Sequence, residues 1–129
     1  MDKKTGAFAI ILWKEKILLF HRDNIPTIPF PDCWQLPGGT LEDGETALEA
    51  LKRELKEEVS YVPENITFLK KLQTKLGETN AYLCTVDDRE AKKFKHGPGE
   101  GQEIAFFTLQ EALKIKLTPF LKKAFKKAN

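Results

Sequence analysis

Cysteine, methionine and histidine are scarce in this chain, with two, one and two copies among 129 residues. Cys33 and Cys84 stand alone, without the paired spacing of a thiolate metal site and without partners for a disulfide framework. Long apolar runs are missing as well. The longest, Ala7–Trp13, is strand-sized, against the roughly 20 residues a membrane-spanning helix needs, so no membrane partner is expected. Met1-Asp2-Lys3-Lys4 leads straight into that run with no signal-peptide core or cleavage site, which points to the cytoplasm. Charge of one sign is not in excess either. Lys and Arg number 21 against 19 Asp and Glu, and a balance of +2 is not that of a protein that coats nucleic acid. Repeats and low-complexity segments are absent, which excludes collagen and coiled coil. What is present is 41% hydrophobic and 10% aromatic residues, enough for a globular core. The length is that of a single domain over 1–129.

Along the chain, Ala7–Trp13 and Lys16–Phe20 are β-rich runs divided by Lys14-Glu15, the pattern of a hairpin. From His21 to Thr46 lie four of the seven prolines and three of the eight glycines, which predicts a long loop with a short strand at Trp34–Leu36. A stretch of that length without regular structure is commonly functional. Thr46–Val59 is the clearest helix. Thr46 and Glu49 form a capping box, Leu48, Leu51, Leu55 and Val59 fall on one stripe, and Pro63 closes the region. Ile66–Leu72 and Ala81–Val86 read as further strands, Asp87–Gly101 as a charged loop, Ile104–Leu109 as a strand and Gln110–Lys114 as a helical turn. Leu117–Ala128 predicts an amphipathic helix with Leu117, Leu121, Ala124, Phe125 and Ala128 inward. Lys122, Lys123, Lys126 and Lys127 then form its solvated face, and a nucleic-acid patch would need aromatics interleaved on the same side. Strands mixed with two helices predict an α/β sandwich with a mixed sheet.

Chemistry enters at Arg53-Glu54-Leu55-Lys56-Glu57-Glu58. At the helical repeat, Glu54, Glu57 and Glu58 spread over roughly 100° and lie beside the apolar stripe, with Glu58 nearest the core. Like charges at these spacings destabilise a helix by a few tenths of a kcal/mol each, and a hard cation such as Mg²⁺ or Mn²⁺ reverses that sign. A solvated acidic face, offset by Lys52, Arg53 and Lys56, is the plainer alternative. Upstream stands Leu36-Pro37-Gly38-Gly39, whose paired glycines let the backbone approach a ligand or metal closely, followed by Glu42, Asp43, Gly44 and Glu45.

Taken together, Gly39, Glu45, Arg53-Glu54, Leu55 and Glu57-Glu58 resemble the Nudix box at its required spacing over residues 39–61, and Trp34-Gln35-Leu36-Pro37-Gly38-Gly39 resembles its usual lead-in. The resemblance implies the family's α/β/α sandwich with a mixed sheet. It also implies metal-dependent hydrolysis of a pyrophosphate bond in a nucleoside diphosphate linked to another moiety, by attack of water at phosphorus. Glu54, Glu57 and Glu58 match the family's Mg²⁺- or Mn²⁺-binding carboxylates, with Glu57 and Glu58 first as ligands and the general base left open. The resemblance also implies Gly39 as a further ligand, with Gly38 and Gly39 bordering the substrate. Arg53 matches the arginine that braces the loop through the Glu45 position. Two positions depart from the pattern. Ser60 replaces the closing glycine, just past the helix where φ > 0 is usual, and Tyr61 replaces an aliphatic residue.

Further site residues are expected outside the box. Glu100 in Gly99–Glu103 is the first choice for another metal ligand or base, with Glu103 the second. Arg22, at the end of the second strand, matches a position where relatives contact phosphate. Phe30 and Trp34 are candidates for stacking on a base, with a plain core position the first choice for Trp34. His21 and His96 are expected to be structural. The chain resembles MutT-like members, which favour nucleoside triphosphates, including oxidised ones. The proline that ADP-ribose hydrolases carry after the box is replaced by Lys75 and Leu76. Nucleotide sugars and ADP-ribose remain alternative substrates, a non-catalytic nucleotide-binding module is the alternative of another class, and the family leaves room for a homodimer.

Overall fold

A computed structural model describes residues 4–74 and 77–128. Lys75 and Leu76, at the position discussed for ADP-ribose hydrolases, lie outside the described residues.

Strands β1 (Gly6–Trp13) and β2 (Lys16–His21) form the expected hairpin, turning at Lys14-Glu15 with Lys14 at φ +56°. Their pairing is short. β1 meets β2 only at Leu12↔Ile17 and Trp13↔Lys16, and its other half pairs with β4 (Gly38–Thr40) from Gly6↔Thr40 to Phe8↔Gly38. β2, splayed away, pairs with β3 (Trp34–Gln35) and along its length with β7 (Glu103–Thr108). On the far side, β1 runs parallel to β6 (Gly77–Val86), which pairs with the edge strand β5 (Thr67–Thr74). The sheet is therefore mixed, in the order β3-β2-β1-β6-β5 with β4 and β7 attached to β1 and β2.

Helix α1 (Ala47–Val59) covers one face. Leu51, Leu55 and Val59 are fully buried against Ala7, Ala9, Ile11 and Cys84. The opposite face carries α3 (Leu109–Ala112) and α4 (Pro119–Ala128), where Leu121 and Phe125 pack with Leu19, Trp34, Ala112 and Leu117. Two apolar layers on either side of one sheet make an α/β/α sandwich. No helix among the described residues is long and apolar enough to cross a membrane.

Several local expectations are corrected. Leu48 is exposed, because the first turn of α1 faces the core with Ala47 and Ala50 instead. Ala124 and Ala128 are exposed too, since only Leu121 and Phe125 of α4 reach the core. The Gly38–Thr40 strand lies inside the long loop, hidden from a pattern reading by its glycines. Asp87–Gly101 contains the short helix α2 (Asp88–Ala91), capped by the Asp87 side chain on the Glu90 N–H.

Candidate active site

The site is built where β1 and β2 part company. α1 begins with the predicted capping box, Thr46 Oγ1 accepting from the Glu49 N–H at 3.1 Å and Glu49 Oε1 from the Thr46 N–H at 2.9 Å. The last turn of α1 carries Glu58 on its inner side, only 3% exposed. Glu58 Oε1 accepts the Gly38 N–H at 2.9 Å. Gly38 sits at φ +142° with Ala7 O 2.2 Å from where a Cβ would stand, so only glycine brings this backbone under the helix. At Gly39 a Cβ would lie 2.8 Å from the Glu54 carboxyl carbon, so the bare backbone is what gives that carboxylate its place.

A third carboxylate arrives from the loop before β7. Lys95 N–H donates to Val59 O at 3.0 Å and Gly97 N–H to Glu58 O at 2.9 Å, satisfying carbonyls that the end of α1 leaves open. The same loop then turns Glu100 back over the helix, with His96 Nε2 3.0 Å from the Glu100 carbonyl. One carboxylate oxygen from each of Glu54, Glu58 and Glu100 lies within 4.8 Å of the others.

That convergence has an electrostatic cost. Burial pushes the Glu58 carboxyl up to about 9; the Gly38 N–H opposes the shift, and Glu54 and Glu100 add to it. Glu54 is raised as well, chiefly by burial, with Arg53 working the other way. Three hard oxygen donors, one of them buried beyond the reach of water, are a donor set for Mg²⁺ or Mn²⁺, and the residues fit such an ion.

Arg53 locks the arrangement from outside. Nε and Nη2 donate to the two oxygens of Glu45 at 2.7 and 3.0 Å, Nη1 to Glu54 Oε1 at 2.9 Å, and Nη2 to Thr40 O at 3.2 Å. The guanidinium holds the Glu45 carboxyl below its usual range. Glu57 stands apart from the convergent three. Its side chain is 55% exposed, with the nearest Arg53 contact at 3.6 Å. It borders, with Lys56, Pro98, Gly99 and Glu100, an open cleft of about 400 Å³.

Other expectations fare differently. Glu103 is not with the carboxylates. It lies on β7 opposite His21, and its Oε2 is 3.1 Å from His21 Nδ1. Trp34 is 8% exposed, stacked on His21 at 4.4 Å and edge-on to Phe107, so it is a core residue and has no open face for a base. Arg22 turns its Nε onto Pro29 O at 2.9 Å, bracing the proline-rich loop. Phe30 is exposed on that loop, at φ +48°. Ser60 takes the left-handed conformation expected of the missing glycine, φ +61°. Asp23, Asp32 and Gln102 tie the proline-rich loop to the Glu100 segment and escaped sequence reading, because their partners lie some 70 to 80 positions away.

A family profile for the NUDIX domain matches residues 3–128. The chain belongs to the Nudix family. A MutT NUDIX hydrolase from Burkholderia pseudomallei has the same fold, with 24% identity, full coverage of both chains and a TM-score of 0.80. The NUDIX domain of Shewanella oneidensis NrtR, crystallised with ADP ribose, matches 99% of this chain and 87% of its own at 20% identity and the same TM-score, 0.80. Among curated relatives, an RNA pyrophosphohydrolase of Coxiella burnetii is 37% identical over 83% of this chain. An ADP-ribose pyrophosphatase of Methanocaldococcus jannaschii is 49% identical over 43% of it, and a Bacillus subtilis putative 8-oxo-dGTP diphosphatase 44% over 43%. The matches span 31–43% of the length of these curated relatives.

Proposed function

We propose that this Nudix chain works as a single domain in the cytoplasm and hydrolyses a pyrophosphate bond in a nucleoside diphosphate derivative, with nucleoside triphosphates, oxidised ones included, as the first substrate class. The observation that carries the reading is the convergence of Glu54, Glu58 and Glu100 beside the Gly38-Gly39 backbone. These three carboxylates, with Gly39, would hold Mg²⁺ or Mn²⁺. When bound, such an ion neutralises phosphate charge and lowers the pKa of water. Arg53 keeps Glu54 and the loop at Glu45 in fixed positions, a supporting role that metal sites need nearly as much as their ligands. The exposure of Glu57 on the cleft, outside the three, supports it as the carboxylate that takes a proton from the attacking water. Phe30, exposed on the loop braced by Arg22, supports a base contact at the rim.

A second reading, a 5′-phosphorylated RNA end as substrate, is favoured by the RNA pyrophosphohydrolase that matches most of the chain. One assay separates them: phosphate or pyrophosphate release from nucleoside triphosphates, oxidised guanine triphosphates, ADP-ribose, nucleotide sugars and 5′-triphosphorylated RNA, with Mg²⁺, Mn²⁺ or chelator. Metal-dependent release from one class, lost in Glu54→Gln and Glu58→Gln, is the expected result. Release that survives chelation or both substitutions overturns the reading.

A further inference from the structure

Glu100 is the one member of the carboxylate group that no regular element carries, so something else must hold it. Behind it, the loop is fastened to the end of α1 through Lys95 and Gly97. Ahead of it, the fastening is made by a different part of the chain. Gln102 Nε2 donates to Asp32 Oδ1 at 2.9 Å and to the Arg22 carbonyl at 2.8 Å, and Gln102 N–H to the His21 carbonyl at 2.8 Å. Gly101 N–H donates to Asp23 Oδ2 at 3.1 Å. Asp32 Oδ1 also meets His21 Nε2 at 2.9 Å, while the other ring nitrogen of His21 faces Glu103. His21 itself is immobilised by stacking on buried Trp34.

Asp32 is thus the point where the proline-rich loop, the end of β2 and the Glu100 segment meet. It holds this place in a left-handed backbone conformation, φ +61°, two residues after Phe30 at φ +48°. Left-handed non-glycine residues are uncommon, and two so close together persist only where the surroundings enforce them. The loop's ends are closed on each other by Arg22 N–H to Cys33 O at 2.8 Å and Asp32 N–H to Asp23 O at 2.9 Å, so movement at its base passes directly to Gln102.

We propose that Asp32, through Gln102 and His21, is a positioning residue for Glu100: it sets where that carboxylate stands relative to Glu54 and Glu58. The same contact fixes the loop bearing Phe30, so substrate wall and carboxylate group move as one body. The proposal rests on the function given above and is tested separately from it.

Asp32→Gly removes the carboxylate while favouring the φ +61° backbone, and Asp32→Asn keeps an Oδ1 acceptor in a residue that tolerates the same conformation. Gln102→Ala breaks the bridge from its other end. Mn²⁺ affinity, measured on the protein alone by electron paramagnetic resonance, is read beside kcat and KM. Groups that orient metal ligands typically contribute about 10- to 100-fold, so Asp32→Gly and Gln102→Ala should each lose about tenfold or more in Mn²⁺ affinity and in kcat, with Asp32→Asn restoring most of both. A folded Asp32→Gly or Gln102→Ala protein that changes KM alone, with Mn²⁺ affinity and kcat intact, overturns the proposal, since the loop then acts on substrate without reaching Glu100. Failure of the functional reading looks different: Glu54→Gln and Glu58→Gln would themselves keep Mn²⁺ affinity and activity.

Discussion

Burial to 3% exposure, with Glu54 and Glu100 close by, pushes the Glu58 carboxyl well above the usual carboxylate range and favours its protonated form. The sign of the consequence follows from linkage. Glu58 is raised from 4.5 to about 9 in the folded protein, so the folded state binds this proton more tightly than the unfolded state does. Stability of the metal-free protein is therefore expected to fall as pH rises through that window, and Mn²⁺ affinity to rise across it as the ion displaces the proton. Glu58→Gln still offers an oxygen to the Gly38 N–H. Urea unfolding without metal should show that it loses the pH slope over this range, and an unchanged slope would assign it to another group. Tyr61 makes a second residue-scale case. Its ring packs edge-on against Phe94, and burial, with the nearby Glu90 that is itself 4% exposed, raises its hydroxyl above the usual range. The aliphatic residue of the family pattern could not make that ring contact. Tyr61→Leu removes that aromatic pair and should lower the unfolding free energy, measured in urea, by about 0.5–1.5 kcal/mol while sparing activity.

Among the elements, α1 and the loop before β7 behave as one device. The loop caps the helix, and in capping it delivers Glu100. Gly97 is where the two touch most closely: a Cβ there would stand 1.7 Å from Glu57 O, which is backbone and has nowhere to go. At Gly99 nothing lies within 4 Å of the same atom. Gly97→Ala should therefore cost about 1–3 kcal/mol in thermal unfolding, the range for forcing atoms into a packed site. Gly99→Ala should melt with the parent protein. Equal melting of the two variants would show that the loop is not seated on the helix end.

For the molecule as a whole, a cation that binds only the folded state raises its stability by mass action. At 100 times its dissociation constant, Mn²⁺ should add about 2.7 kcal/mol, seen as a rise in melting temperature. Glu54→Gln, which also takes one oxygen from Arg53, should lose most of that rise. An undiminished shift would place the bound ion elsewhere.

Much of this is written in the amino-acid sequence itself. The capping box, the hairpin at Lys14-Glu15 and the box spacing from Gly39 to Glu58 are local patterns, in which neighbouring residues decide one another's conformation over a few positions. Sequence alone thus determined α1, the carboxylates it carries and the backbone glycines that approach them. Tertiary structure decided which of those carboxylates converge. Glu57 and Glu58 are adjacent in sequence, yet burial of one helix face separates them, and Glu100 joins Glu54 and Glu58 in place of Glu103 because β7 sets Glu103 opposite His21. It also placed Trp34 in the core, the first choice of the sequence reading, and made Asp32 a junction. Those outcomes depend on contacts between segments some 40 to 80 residues apart, whose register is set by sheet pairing and packing, and no local spacing records them.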